Sequence, residues 1–319
     1  MIRLTVSCVV LLLASLLPPL PAPQTSTALS GAYVEVGGSK LWYEECGSSA
    51  QGTAVVLLHD GLVHSITWDD IWQPLCSRYH VVRYDRRGYG RSAPAKAPFV
   101  PSDDLLAIMQ IVHMNRAVLV GNSSGAGLAI DFAFAHPNMV TALFLMGPVV
   151  HGMAASDYFI ERGDENNAPL GHGDAKAAAE RWSKDRFLLA GDAPAARKKL
   201  FDALAENPQN LTVSGKFEIR PSPPSVMRLS EIKVPTLVLV GEADIGDVFA
   251  YAGAIKAAVP LASLEIWKGA GHLIQIQCPS AVVARLNRFA DLAMRNEANL
   301  TEHTLEECQA HTKIAMPGG

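Results

Sequence analysis

The sequence predicts an α/β protein, a mostly parallel sheet with helices on both faces, and three observations carry that prediction. Solid apolar runs of five or six residues recur along the chain, the composition of strands buried on both faces. Segments with helical periodicity separate them. One Gly-Ser turn, Gly121-Asn122-Ser123-Ser124-Gly125, stands between such a run and such a segment.

The elements follow in order. Residues 33–36 and 40–44 flank Gly37-Gly38 and read as a hairpin. Residues 54–58 (AVVLL) form the first buried strand, 68–77 a helix and 80–84 the next strand. The turn Asp85-Arg86-Arg87-Gly88-Tyr89-Gly90-Arg91-Ser92 is expected to be structural, locked by ion pairs between Asp85 and its arginines. Ser102 is the expected N-cap of a helix running to about Met114, with Asp103 and Asp104 in its first turn. A strand begins at Ala117, and the helix after the Gly-Ser turn stops near His136-Pro137, where proline prevents continuation. Residues 141–146 make the following strand.

From 148 to 232 the alternation lapses. Residues 163–173 read as loop and 174–189 and 193–205 as helices, a block expected to form a lid inserted between late strands. Residues 236–241 resume the sheet, 248–259 supply a helix, 262–267 the last strand and 279–295 the last helix. The expected organisation is therefore a signal peptide (1–28), a core (29–147 and 233–295), a lid (148–232) and a polar tail (296–319).

The first twenty residues differ in kind, with Arg3 followed by an almost wholly apolar stretch and then a proline cluster, as in a secretory signal. That stretch is shorter than the roughly 20 residues a membrane span needs, so a secreted or periplasmic protein without a stable span is expected. Removing it leaves Cys46, Cys76, Cys278 and Cys308. Two disulfides are one reading, with Cys278 and Cys308 pinning the tail and Cys46 paired with Cys76; four unpaired small hydrophobes are the other. Asn210-Leu211-Thr212, Asn299-Leu300-Thr301 and Asn122-Ser123-Ser124 are sequons by pattern, and a glycan on the third would block the Gly-Ser turn. A net charge of -4 at pH 7 and no basic run leave no footprint for nucleic acid. No metal or other cofactor is expected; the expected partner is a small-molecule substrate.

The Gly-Ser turn matches the G-x-S-x-G nucleophile elbow, in which serine occupies strained backbone between strand and helix and small neighbours leave its hydroxyl clear. A serine hydroxyl needs a base and a group to orient that base. His272, in Gly269-Ala270-Gly271-His272 after the last strand, is the expected base. Asp244, in Gly241-Glu242-Ala243-Asp244 after the preceding strand, is the expected acid, with Glu242 and Asp247 as competitors. The expected oxyanion donors are the backbone N–H groups of Ser124 and Gly61, the latter in the turn after the first buried strand. His59 in that turn reads as structural. In the inserted block Tyr158, Phe159, Trp182 and Phe187 are candidate lining residues.

Taken together, these motifs across about Tyr33 to Arg295 resemble the α/β-hydrolase superfamily. The resemblance implies the α/β-hydrolase fold and a serine hydrolase, first of all a carboxylic ester hydrolase. Carbon–carbon bond hydrolysis, aminopeptidase activity, a cofactor-free perhydrolase reaction or a non-catalytic binding protein are the other readings. Where the family pattern has His-Gly after the early strand, this chain has His59-Asp60.

Overall fold

The structure, a computed structural model, describes residues 31–295. The leader, the tail with Cys308, and the Asn299 sequon lie outside the described residues. Eight strands, β1 (Ala32–Val36), β2 (Ser39–Cys46), β3 (Ala54–Leu58), β4 (His80–Tyr84), β5 (Ala117–Asn122), β6 (Val140–Met146), β7 (Thr236–Gly241) and β8 (Ala262–Trp267), form one sheet. Their order is β1-β2-β4-β3-β5-β6-β7-β8. β2 is antiparallel to β1 and to β4, and every other pairing is parallel.

The helices are α1 (Asp69–Cys76), α2 (Pro101–Ile111), α3 (Ser124–Ala135), α4 (Asp157–Asn167), α5 (Ala175–Lys184), α6 (Pro194–Glu206), α7 (Gly246–Ala258), α8 (Ile274–Gln277) and α9 (Pro279–Met294). Strand alternation divides the core into two layers. Val56, Leu58 and Leu119 pack with Ile108 of α2, Ile130 of α3 and Ile255 of α7. Val55, Leu57 and Val120 face the other way, onto Trp72 of α1 and Phe289 of α9. Each residue step along a central strand thus feeds a different layer, which is why these strands are apolar throughout.

Several elements differ from expectation. Residues 163–173 are not a loop: α4 runs to Asn167 and a 3-10 helix, Ala168–His172, follows. The Ser156 hydroxyl caps α4 by accepting from Phe159 N–H, and Gly163 sits in open space, so its turn-forming bias is overridden at little cost. Ser102 is not an N-cap; Pro101 occupies the first helical turn of α2 after extended Val100, where its fixed φ suits the helix start. The helix expected over 174–189 stops at Lys184, because Asp185 turns extended and its carboxylate takes up the N–H groups of Phe187 and Leu188. The short α8 was not anticipated. Cys46 and Cys76 are disulfide-bonded, tying β2 to the end of α1, and Cys278 is also in a disulfide.

The sheet changes direction at β3. β4 lies on one side of it and β5 on the other, so the chain leaves β3 and β5 on opposite faces and opens a crevice at their carboxyl ends. Leu58 pairs with Gly121, Asn122 with Met146 and Gly241 with Trp267. The loops that begin at His59, Ser123, Gly147, Glu242 and Lys268 therefore share one edge.

Candidate active site

Ser123 links β5 to α3 with φ 55° and ψ -120°. Among the described residues only it and His113 are non-glycine residues with positive φ, a conformation that costs about 1–3 kcal/mol and persists where surroundings enforce it. Here they do so by close packing. A Cβ on Gly125 would fall 2.2 Å from Leu58 O, and one on Gly121 would fall 2.6 Å from the backbone of Ala126. Ser123 N–H donates to Met146 O at 2.9 Å and Asn122 Nδ2 donates to the same oxygen at 3.0 Å.

His272 and Asp244 are brought together across β7 and β8. His272 Nδ1 lies 2.8 Å from Asp244 Oδ2 and 3.1 Å from Oδ1. Both residues are buried. Gly147 makes room for the pair, since a Cβ there would stand 2.7 Å from His272 Nδ1 and 3.1 Å from Asp244 Oδ2. Burial by itself would lower the pKa of His272, but the Asp244 charge and hydrogen bond, with a smaller push from Asp60, hold it above the ordinary histidine value. Neither Ser123 Oγ nor His272 Nε2 has a hydrogen-bond partner among the described residues, and both residues line one cavity of about 170 Å³. Such contacts often close only once substrate is bound. The competing acids are engaged elsewhere: exposed Glu242 accepts from Gly269 N–H at 3.3 Å, and Asp247 caps the Ser156 turn at 2.6 and 2.8 Å.

The opposite wall is the turn after β3. Asp60 Oδ1 accepts from Leu62 N–H at 2.6 Å and Val63 N–H at 2.8 Å. That bond engages Leu62 N–H and leaves the neighbouring Gly61 N–H without an acceptor among the described residues. Gly61 lines the cavity. Ser124, the first residue of α3, has its N–H outside the helical ladder. Behind both lies Arg86, whose guanidinium donates to Asp60 O at 2.7 Å and to Ser124 Oγ at 2.8 Å. His59 is wholly buried, with Nδ1 2.7 Å from Asp60 O and Nε2 accepting from Arg86 N–H at 2.9 Å. Burial, with Arg86 adding to it, pushes its pKa well below the usual range, so the ring is neutral and structural.

The Asp85 turn is structural by a different device from the one expected. Its carboxylate accepts from the N–H groups of Ser65 and Arg91 at 3.0 and 2.9 Å. The turn's arginines engage elsewhere: Arg87 pairs with Asp104, Arg91 lies 3.9 Å from Glu44, and Arg86 donates to Asp60 O and Ser124 Oγ.

Residues 148–232 contribute Phe159, Arg162, Trp182 and Leu188 to the cavity. Of the four aromatics singled out in the sequence, Phe159 and Trp182 line it; Phe187 and half-exposed Tyr158 pack edge to face beside it. Arg162 gave no sequence signal. Its Nε donates to Asp185 at 2.6 Å while its guanidinium lies over the rings of Trp182 and Phe187. The same segment holds the histidine loop, for His272 N–H donates to Phe187 O at 2.7 Å and Leu273 N–H to Leu188 O at 3.0 Å. From below, Asn122 Nδ2 also donates to His272 O at 3.0 Å and its Oδ1 accepts from Gln275 at 3.1 Å. Asn122 is buried, as is the sequon residue Asn210, which bonds His64 and Gly90, so neither side chain is exposed for a glycan. No group of three or more His, Cys, Asp or Glu residues suited to a metal ion occurs among the described residues. No helix among them is long and apolar enough to cross a membrane.

Known proteins share this architecture. The chain is 29% identical over 269 residues to "Putative carbamate hydrolase RutD" of Caulobacter sp. strain K31, covering 78% of this chain and 95% of that one. It is 27% identical over 251 residues to the 2-hydroxy-6-oxononadienedioate/2-hydroxy-6-oxononatrienedioate hydrolase 2 of Pseudomonas putida, covering 74% and 86%. Among solved structures, carboxylesterase CesB (YbfK) of Bacillus subtilis superposes with a TM-score of 0.67 at 21% identity, covering 82% of this chain and 91% of that one. A thermophilic esterase from Thermogutta terrifontis superposes at 0.66 with 20% identity, covering 83% and 99%. The sequence model of the alpha/beta hydrolase family matches residues 55–286, and with the strand order and the shared sheet edge this makes the chain a hydrolase of that family.

Proposed function

We propose that the protein is a serine hydrolase acting on a small-molecule carboxylic ester through an acyl-enzyme. One observation carries the reading: a serine in strained strand-to-helix backbone opens on the same cavity as a histidine whose Nδ1 is held 2.8 Å from a buried aspartate. In this reading Ser123 Oγ attacks the ester carbonyl and His272 Nε2 takes its proton. His272 then returns that proton to the leaving alkoxide, and water repeats the sequence to release the acid. Asp244 keeps the proton on Nδ1 and stabilises the imidazolium. The N–H groups of Gly61 and Ser124 bind the oxyanion, each worth roughly 2.7–4 kcal/mol of transition-state stabilisation.

The test is Ser123→Ala with a fluorophosphonate probe. Turnover of phenyl esters should drop by about 10⁶-fold and labelling should vanish; wild-type-like hydrolysis by the variant would overturn the assignment. The Pseudomonas putida relative supports a second reading, carbon–carbon bond hydrolysis by the same residues. Assaying a vinylogous diketone beside the esters separates the two. Residues 148–232 act as a lid over the cavity, and the apolar leader and the Cys46–Cys76 disulfide support export to an oxidising compartment.

A further inference from the structure

Asp60, a residue of the cavity lining, has one carboxylate oxygen without a partner among the described residues. Oδ1 is consumed by the N–H groups of Leu62 and Val63, whereas Oδ2 is buried and has no hydrogen-bond partner among the described residues. The residue is 2% exposed and lines the cavity with Ser123 and His272. The shaping of the turn is complete with Oδ1 alone. A carboxylate oxygen left unpaired is costly until a donor reaches it; Leu62, Phe159, Trp182, Leu188 and Ile245 line the cavity too, together with Arg162, whose Nε is taken up by Asp185.

Burial raises the pKa of Asp60, and the N–H groups of Val63 and Leu62 oppose that rise, as do His272, which becomes imidazolium in the reaction, and Arg86 behind the Asp60 main chain. Because Asp60 immediately precedes Gly61, whatever meets Oδ2 stands within a few bonds of the scissile carbonyl.

We propose that Asp60 is a specificity-determining residue whose Oδ2 accepts a hydrogen bond from a hydroxyl or amino group on the carbon next to the scissile carbonyl, making α-hydroxy and α-amino acyl esters the preferred substrate class. This rests on the serine hydrolase reading.

Phenyl lactate and its O-methyl ether test it, since the two share inductive activation and differ in the donor. Wild-type kcat/KM should favour the lactate by about tenfold to a hundredfold, the span of one hydrogen bond to a charged group. Asp60→Asn keeps an oxygen for Leu62 and Val63 and turns an NH₂ toward the cavity, so the preference should disappear or invert. Equal wild-type rates on the two esters, or an unchanged ratio in Asp60→Asn, would overturn the proposal. The wild-type comparison decides even if the variant does not fold. Absence of turnover of both esters together with absence of a Ser123 adduct would instead reject the serine hydrolase reading, and the inference with it.

Discussion

The cavity has two walls built by different physics. The sheet edge supplies Ser123, Asp244, His272 and Gly61 from loops that leave neighbouring parallel strands, and their positions are set by backbone hydrogen bonds and by glycines that admit no Cβ. The inserted segment supplies Phe159 and Arg162 from α4, Trp182 from α5 and Leu188 from the turn beyond it; Phe159 packs on the main core, Trp182 and Leu188 join an apolar cluster shared with Val63, Leu273 and Ile276, and Arg162 pairs with Asp185. The first wall tolerates no displacement without losing its geometry. On the proposed reading chemistry belongs to the sheet edge, where Asp60 also selects at the carbon next to the scissile carbonyl, and the insertion selects the rest of the acyl group.

The sharpest way to test that division is to damage each wall and ask whether kcat or KM moves. Asp244→Asn should cost about 10⁴-fold in kcat, the effect of a wrongly protonated and poorly held base, while KM changes little. In wild type the acid limb of kcat/KM should lie above the ordinary histidine value, because His272 must lose a proton to act and its neighbours raise the pKa. Activity therefore rises as pH climbs through that value, and Asp244→Asn should move the limb to lower pH. A limb that stays in place would reject His272 as the titrating base.

Gly147→Ala should reduce kcat by about 10²-fold through displacement of the His272–Asp244 pair, with fluorophosphonate labelling slowed in proportion. Asp185→Ala is where the two walls meet. It removes the partner of Arg162 and the cap on Phe187 and Leu188, whose carbonyls hold the histidine loop. We expect a loss of about 3 kcal/mol in chemical denaturation and, unlike other changes in the insertion, a fall in kcat as well as a rise in KM. A pure KM effect would show that the insertion does not help to hold His272. Trp182→Ala should be the mildest for chemistry, altering relative kcat/KM among acyl groups by about tenfold with kcat on the best ester nearly kept.

Reading the sequence reached further into one wall than into the other. Strand composition and glycine spacing exposed the sheet, Ser123, Asp244 and His272, because a doubly buried strand must be apolar throughout and a loop at its end must be punctuated by small residues. In the insertion, Gly163 suggested a loop where α4 runs, since a single glycine carries little weight once a cap and neighbouring helices hold the turn. Arg162 carried no signal because its role depends on Asp185, Trp182 and Phe187, which reach it only through helix packing. Asn122 looked like a glycosylation sequon and proved to be a buried tie between the elbow and the histidine loop.

By itself the sequence determined the order of elements and which of them end at a common sheet edge, because periodicity and buried apolar runs are local properties of the chain. Only the tertiary structure decided that His272 meets Asp244 and not Glu242, that Gly147 leaves space for them, and that Asp60 keeps one oxygen unpaired. Those outcomes depend on distances between residues far apart in the chain, and no local pattern encodes such distances.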